Sequence, residues 1–216
     1  MQRLLVVMLI FWAQGLCAQS PIHIHFDGDE VGHFPSGWVS RDKKNMTQVY
    51  SVQVEEGKKF LHADAQDMSV QISHERKWDL RDYPMLRWHW RAVLFPAGSN
   101  EQVKSGADSV LGVYVVLSGL PFIKAIKYIW SDAWPVGTAF DSPYSTGTKM
   151  MVIRSGRSLM GTWVAEERNV LSDYERFFGR GKTQLTAQAI AILTDSDDTH
   201  SRAVGDYGDI RITPPE

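Results

Sequence analysis

Carboxylates gather at two places in this 216-residue chain. Ala189–Thr199, AIAILTDSDDT, is an apolar run that ends in Asp195, Asp197 and Asp198. Asp27 and Asp29 follow an alternating run near the start, and Asp206 and Asp209 precede or open the last one. Carboxylates clustered in a loop suit calcium, which takes about six to eight oxygen ligands. They also accept hydrogen bonds from ligand hydroxyls, and a suitably spaced pair supplies acid and base for glycoside cleavage. The spacing here lacks the full EF-hand pattern, which excludes that motif. A plain turn, with Asp bonding its own backbone, is the simplest alternative. If the terminal runs pair as strands, Asp27, Asp29, Asp206 and Asp209 meet and repel unless a cation sits between them.

A second constellation is cationic. In Met85–Val93, MLRWHWRAV, a period of two places Leu86, Trp88, Trp90 and Ala92 on one face and Arg87, His89 and Arg91 on the other. The tryptophans are expected in a core. The cations make either a surface for a polar ligand or a solvated face paired with neighbouring carboxylates. Tyr128 and Trp130 share a face in KYIWSDAW, as a stacking wall beside that row or as core aromatics. His23 and His25 also share a face, but no third metal ligand lies near them in sequence. Taken together, these readings gather Arg87, His89, Arg91, Trp130, Asp195 and Asp197 into one ligand groove. The cations and acids supply charge and hydrogen bonds there, and Trp130 supplies a stacking surface.

Strands must position these groups. Alternating or apolar runs occur at Pro21–Phe26, Val49–Val54, Phe60–Ala63, Ser69–Ile72, Met85–Val93 and Leu111–Leu117. Further runs occur at Ala125–Trp130, Lys149–Arg154, Gly161–Ala165, Ala189–Thr194 and Asp209–Thr213. Leu111–Leu117, LGVYVVL, is nearly all apolar and reads as a central strand covered on both faces. Many short strands divided by Gly, Pro and Asp argue for an antiparallel sandwich or barrel. One helix is expected near 172–178, started by a Ser172–Glu175 capping box and stopped by Gly179.

Composition narrows the class. A formal charge of −2 excludes a sequence-blind nucleic-acid binder. Met1–Ala18 reads as an export signal: Arg3 precedes the apolar run Leu4–Trp12, and small residues surround a cleavage point after Ala18. The apolar run is too short to span a bilayer, and none longer follows. The single cysteine, Cys17, lies in this leader, with Leu16 before it where a lipid-attachment signal wants a small residue. Residues 19–216 are therefore expected to be one domain without disulfides, periplasmic or secreted.

The motifs FDGD…GW, P-x-L-x-W-x-W-R (Pro84–Arg91), Y-x-W-S (Tyr128–Ser131) and G-x-W followed by R-N-V (Gly161–Trp163, Arg168–Val170) come in that order. They continue with D-Y-x-x-x-F-G (Asp173–Gly179), T-D-x-D-x-T (Thr194–Thr199) and Y-G-D-I (Tyr207–Ile210). This order resembles the bacterial domain-of-unknown-function family numbered 3047 across nearly all of the mature chain. The pattern is similar to the galactose-binding-like jelly rolls, a group that includes many carbohydrate-binding modules. The resemblance implies an all-β, two-sheet antiparallel jelly-roll sandwich with one short helix. It also implies a structural calcium held by Asp27, Asp29 and Asp209 where the first and last strands meet. The function it implies is non-catalytic binding of a saccharide or another polar envelope ligand. A glycan hydrolase or lyase using a carboxylate of the DSDD loop, and an envelope protein-interaction module, are the competing expectations.

Overall fold

The computed structural model describes residues 20–118, 123–181 and 185–215, so the expected leader lies outside the described residues. In chain order the first strands are β1 (Ile22–Ile24), β2 (Trp38–Ser40), β3 (Tyr50–Glu55), β4 (Lys58–Gln66) and β5 (Ile72–Asp79). They are followed by β6 (Met85–Leu94), β7 (Leu111–Leu117), β8 (Lys124–Ser131), β9 (Ala139–Ser142) and β10 (Ser145–Ser155). The chain closes with β11 (Val164–Asn169), β12 (Thr186–Leu193) and β13 (Arg202–Thr213). Among the described residues there are two α-helices, α1 (Met46–Val49) and α2 (Val170–Phe178). None of the described helices is long and apolar enough to cross a membrane.

The strands form two sheets packed face to face, the sandwich expected from the alternation and the jelly roll implied by the family resemblance. One sheet has the order β11-β6-β13-β4-β3, with β1 paired to the far part of β13. The other has the order β2-β5-β12-β7-β8-β10-β9. Pairing is antiparallel except between β8 and β10, which run parallel, so the second sheet is mixed. The terminal strands do pair, with Ile22 opposite Ile212 and Ile24 opposite Ile210.

The core follows from the period of two. Leu86, Trp88, Trp90 and Ala92 turn inward from β6 and are fully buried. From the other sheet β8 sends Tyr128 and Trp130 to meet them. Trp88 faces Tyr128 at 5.6 Å between ring centroids, and Trp90 faces Trp130 at 6.1 Å. Trp130 donates its indole N–H to the Gly156 carbonyl at 2.9 Å, so this large ring is buried with its polar group satisfied. The sheets approach closely at Gly205, where an added Cβ would lie 2.6 Å from Leu111 Cδ2.

The helix near 172–178 is present but starts earlier than the capping box implied. Asn169 is the N-cap, and its side chain accepts from the Ser172 N–H at 2.9 Å. Gly179 stops the helix at φ 85°, a left-handed angle that favours glycine. Asp173 ties the helix to the core: it accepts from the Tyr128 hydroxyl at 2.8 Å and pairs with Arg168 through both carboxylate oxygens.

Replacing Trp130 with alanine removes a core ring that meets both Trp90 and Phe95. The expected loss is about 3–5 kcal/mol of unfolding free energy, read by denaturant titration.

Candidate functional site

The outer face of the seven-stranded sheet is a long groove of about 1400 Å³. Its floor is made by the residues that alternate away from the core. These are Ala189, Ala191 and Leu193 on β12, Tyr114 and Val116 on β7, and Ala125 and Lys127 on β8. Small side chains on adjacent strands let the floor sink. Ser73 and Glu75 of β5 continue it toward β2, and Thr148 and Met150 of β10 continue it toward the opposite wall. The segment Val39–Asp42 forms one wall and Ser142–Ser145 the other. Leu111–Leu117 was expected to be covered on both faces. Its outward residues Tyr114 and Val116 are instead only half-buried, because they lie on this floor.

Asp195, Asp197 and Asp198 stand together at one end of the groove. Alternation after β12 explains how Asp195 is held there. Thr194 turns inward and donates to the Val110 carbonyl at 2.8 Å, and Ser196 turns inward and donates to the Ala65 carbonyl at 2.9 Å. Asp195 between them must point the other way. Its Oδ1 accepts from the Ser109 backbone N–H at 2.7 Å, and its own N–H donates to the Ser109 carbonyl at 3.2 Å.

Lys127 is the counterpart. It is almost wholly buried beneath the groove, with Nζ 3.9 Å from Asp195 Oδ2. The ammonium donates to Ser109 Oγ at 3.2 Å and lies 5.3 Å from the centroid of the Tyr114 ring. Gly112 makes this path possible, because a Cβ at that position would lie 2.6 Å from Lys127 Cε. Burial by itself lowers a lysine pKa, yet Asp195, Tyr114 and Glu101 outweigh it and hold the ammonium above its ordinary value. Burial pushes the Asp195 carboxyl up to about 7, against the opposing pull of Lys127 and the Ser109 N–H. Burial also raises Asp197 and Glu101. Glu101 is buried and accepts from Ser131 Oγ at 2.9 Å.

Asp108 completes the acidic end from below. It accepts from the backbone N–H groups of Asp198 and Thr199 and from Thr199 Oγ1. Asp108, Asp195 and Asp197 each offer one carboxylate oxygen, and these atoms lie within 4.8 Å of one another. Among the described residues this is the one such trio that can hold a metal ion. Tyr144 donates to the Asp198 carboxylate from the opposite wall, and this contact pushes the phenol pKa up to about 12.

The six residues expected to share a groove are not brought together. Asp195 and Asp197 line it. Trp130 lies in the core between the sheets, so it has no face to offer a ligand. Arg87, His89 and Arg91 do form one outward row, but on β6 of the other sheet. There Arg87 pairs with Glu167, and Arg91 pairs with Asp206 and Glu55. Arg91 also lies 4.7 Å from the Trp163 ring centroid and 5.4 Å from that of Phe60. The physical reason is that β6 and β8 belong to opposing sheets. Side chains sharing an inward face therefore meet in the core, and their outward neighbours end up on opposite sides of the molecule.

The expected calcium ligands Asp27, Asp29 and Asp209 likewise do not converge, although the terminal strands pair. Asp29 accepts from Ser36 N–H and Oγ at 2.8 and 2.6 Å. Asp209 meets His23 Nε2 at 2.9 Å, and Asp27 lies 3.4 Å from His25 Nδ1. Lys59 Nζ donates to the backbone carbonyls of Asp27 and Asp29 at 2.9 and 2.6 Å. A lysine thus supplies positive charge to this loop.

Sequence reasoning passed over Lys127, Tyr114 and Tyr144. One signal was available, since Lys127 is a lone charge inside the apolar run Ala125–Trp130.

The family model described as "Protein of unknown function (DUF3047)" matches residues 36–211. No curated protein matches the chain. Among solved structures, the chain is similar to CBM27-1 of Caldicellulosiruptor saccharolyticus in complex with mannohexaose. The identity is 11% and the TM-score 0.44, over 92% of this chain and 100% of that one. It is similar to endoglucanase 3 of Trichoderma harzianum, family GH12, at 10% identity and a TM-score of 0.44, over 86% and 94% of the two chains. It is also similar to the K2 cleaved adhesin domain of Lys-gingipain at 9% identity and a TM-score of 0.43, over 91% and 99%. Likeness of this depth says nothing about what the chain binds.

A carboxyl raised from 3.8 to about 7 binds its proton more tightly in the folded state. Its contribution to stability is therefore full below about 3.8 and is lost as pH rises through about 7. Relative to Asp195→Asn, the wild-type protein should lose melting temperature between about pH 4 and pH 7. A carboxyl carbon resonance of Asp195 titrating near 7 checks the same group directly.

Proposed function

The chain belongs to the family described as "Protein of unknown function (DUF3047)", and we propose that its groove binds a saccharide without catalysis. One observation carries this reading: the groove is long, open and of mixed chemistry, with its buried charges already satisfied within the protein. Its volume of about 1400 Å³ exceeds the roughly 300–1,000 Å³ of small-molecule pockets and suits a chain-like ligand. Ala189, Ala191, Leu193 and the Tyr114 ring give the floor apolar surface for the C–H faces of sugar rings. Gln71, Ser73, Gln188 and Asp197 stand around it with donors and acceptors for hydroxyls.

A hydrolase or lyase is less well supported. Glu75 is opposite Ala189, and Ser69 is bridged to Asp195. Six residues of strand at about 3.3 Å each put Glu75 and Asp195 about 20 Å apart. Paired glycosidase carboxylates stand about 5–10 Å apart across the scissile bond. Asp195 and Asp197 are close, but they share one wall, and Asp195 is occupied by the Ser109 N–H and Lys127.

The export reading accompanies this proposal. It places the mature chain in the periplasm or outside the cell, where envelope glycans are the available saccharides. N-terminal sequencing of the exported protein should begin at Gln19, and a retained Met1 would reject the leader.

Calorimetric titration of the mature protein with a panel of linear oligosaccharides and envelope glycans tests the groove. Tyr114→Ala with Gln188→Ala should weaken binding at least about tenfold, since stacking and a hydrogen bond are lost together. Arg87→Ala with His89→Ala, on the other sheet, should leave it unchanged. The reverse pattern would move the site to the opposite face, and no binding to any member of the panel would reject it.

A further inference from the structure

We propose that Lys127 is a tethered counter-ion that makes the aspartate end of the groove select hydroxyl groups over divalent cations. The inference deepens the saccharide reading and rests on it for the hydroxyl ligand. The cation half stands on the side-chain geometry alone.

Three oxygens from Asp108, Asp195 and Asp197, all within 4.8 Å of one another, are the beginning of a hard-cation site. In most proteins such a cluster either recruits an ion or spreads apart. Here positive charge also comes through the floor. Lys127 sits nine-tenths or more buried, with Nζ 3.9 Å from Asp195 Oδ2 and bonded to Ser109 Oγ at 3.2 Å. Ser109 in turn donates its N–H to Asp195 Oδ1, so one residue holds both partners of the pair. Asp108 is fixed independently by Asp198 and Thr199.

Two consequences follow for recognition. A dication arriving at the trio meets an ammonium that cannot leave, since its stem is packed over Gly112 and its charge is screened by little water. A hydroxyl meets the opposite situation. It is uncharged, so the ammonium does not repel it. It can donate to half-buried Asp197 while Lys127 keeps the neighbouring Asp195 oriented and charge-compensated. Lys127 acts through the carboxylates, so it is a positioning residue rather than a ligand contact.

Gly112 gives a second handle on the same claim. Its backbone is not in the left-handed region, and an alanine Cβ there would lie 3.3 Å from the Leu193 carbonyl oxygen, a contact that a shift of a few tenths of an ångström relieves. The new methyl would lie 2.6 Å from Lys127 Cε, so the lysine stem must shift from its present path beside the acids.

The test uses metal alone. Calcium calorimetry and terbium luminescence are measured on the full mature chain as wild type, Lys127→Met, Gly112→Ala and the double variant Lys127→Met/Asp195→Asn. Wild type should bind weakly or not at all. Lys127→Met and Gly112→Ala should each bind at least about tenfold more tightly, and the double variant should lose that gain. Added calcium should also raise the melting temperature of Lys127→Met and leave that of wild type unchanged. If Lys127→Met does not fold, Gly112→Ala decides the matter. Wild-type affinity equal to that of the variants would overturn the proposal, as would folded variants that bind no better than wild type. Neither result depends on which sugar binds, so failure here is distinguishable from failure of the saccharide reading.

Discussion

A buried ammonium is tolerated in a protein only when carboxylates or other acceptors offset the water it has lost. Lys127 meets that condition beneath a sheet face, and much of the surrounding structure is arranged around it. Gly112 must lack a side chain to let the lysine stem pass. Ser109 must present both its hydroxyl and its N–H at the edge of β7. Thr194 and Ser196 must be anchored inward so that Asp195 is aimed at the pair. Remove the requirement to neutralise Lys127 and none of these choices has an evident reason. The acidic end of the groove is therefore set by an electrostatic constraint, while the sandwich beneath it is set by packing of Trp88, Trp90, Tyr128 and Trp130.

The two faces of the molecule handle charge differently. On the outward face of the six-stranded sheet, Arg91 lies over the Phe60 and Trp163 rings and binds Asp206 and Glu55, and His62 joins Asp206 from the next strand. These are cross-strand neighbours in register, and they close the face with side chains. On the seven-stranded sheet the outward positions include Ser73, Ala125, Thr148, Ala189 and Ala191, whose small side chains leave space instead. The residue sizes on the two outward faces, more than their charge, decide which becomes a groove.

How much of this could be read in advance depended on the pattern available to each strand. Met85–Leu94 alternates bulky and ionic residues, so its faces were legible, and the structure keeps them. Lys124–Ser131 has apolar residues on both faces, because one packs in the core and the other floors a groove, so periodicity could not say which side Trp130 takes. Ile72–Asp79, ISHERKWD, is a strand of which only Ile72 fell within an expected run. It sits near the sheet edge with its charges along the groove, and its register slips opposite Ala187 and Ala189. Glycines in Arg202–Thr213 read as breaks and shortened the expected last strand. In the fold Gly205 makes room for the Leu111 side chain and Gly208 lies against His89 and Trp163. The acidic end was visible in sequence as DSDD, but its lysine was not, because partners 68 residues apart leave no local spacing to detect.

The final strand is also the middle one. β13 lies between β6 and β4 and carries β1 beyond the end of β4, so it holds the six-stranded sheet together although it is made last. Its three partners, β1, β4 and β6, all precede it in the chain, so each must wait for it. Closing the six-stranded sheet is therefore a step of high sequence separation, the kind of pairing that slows folding.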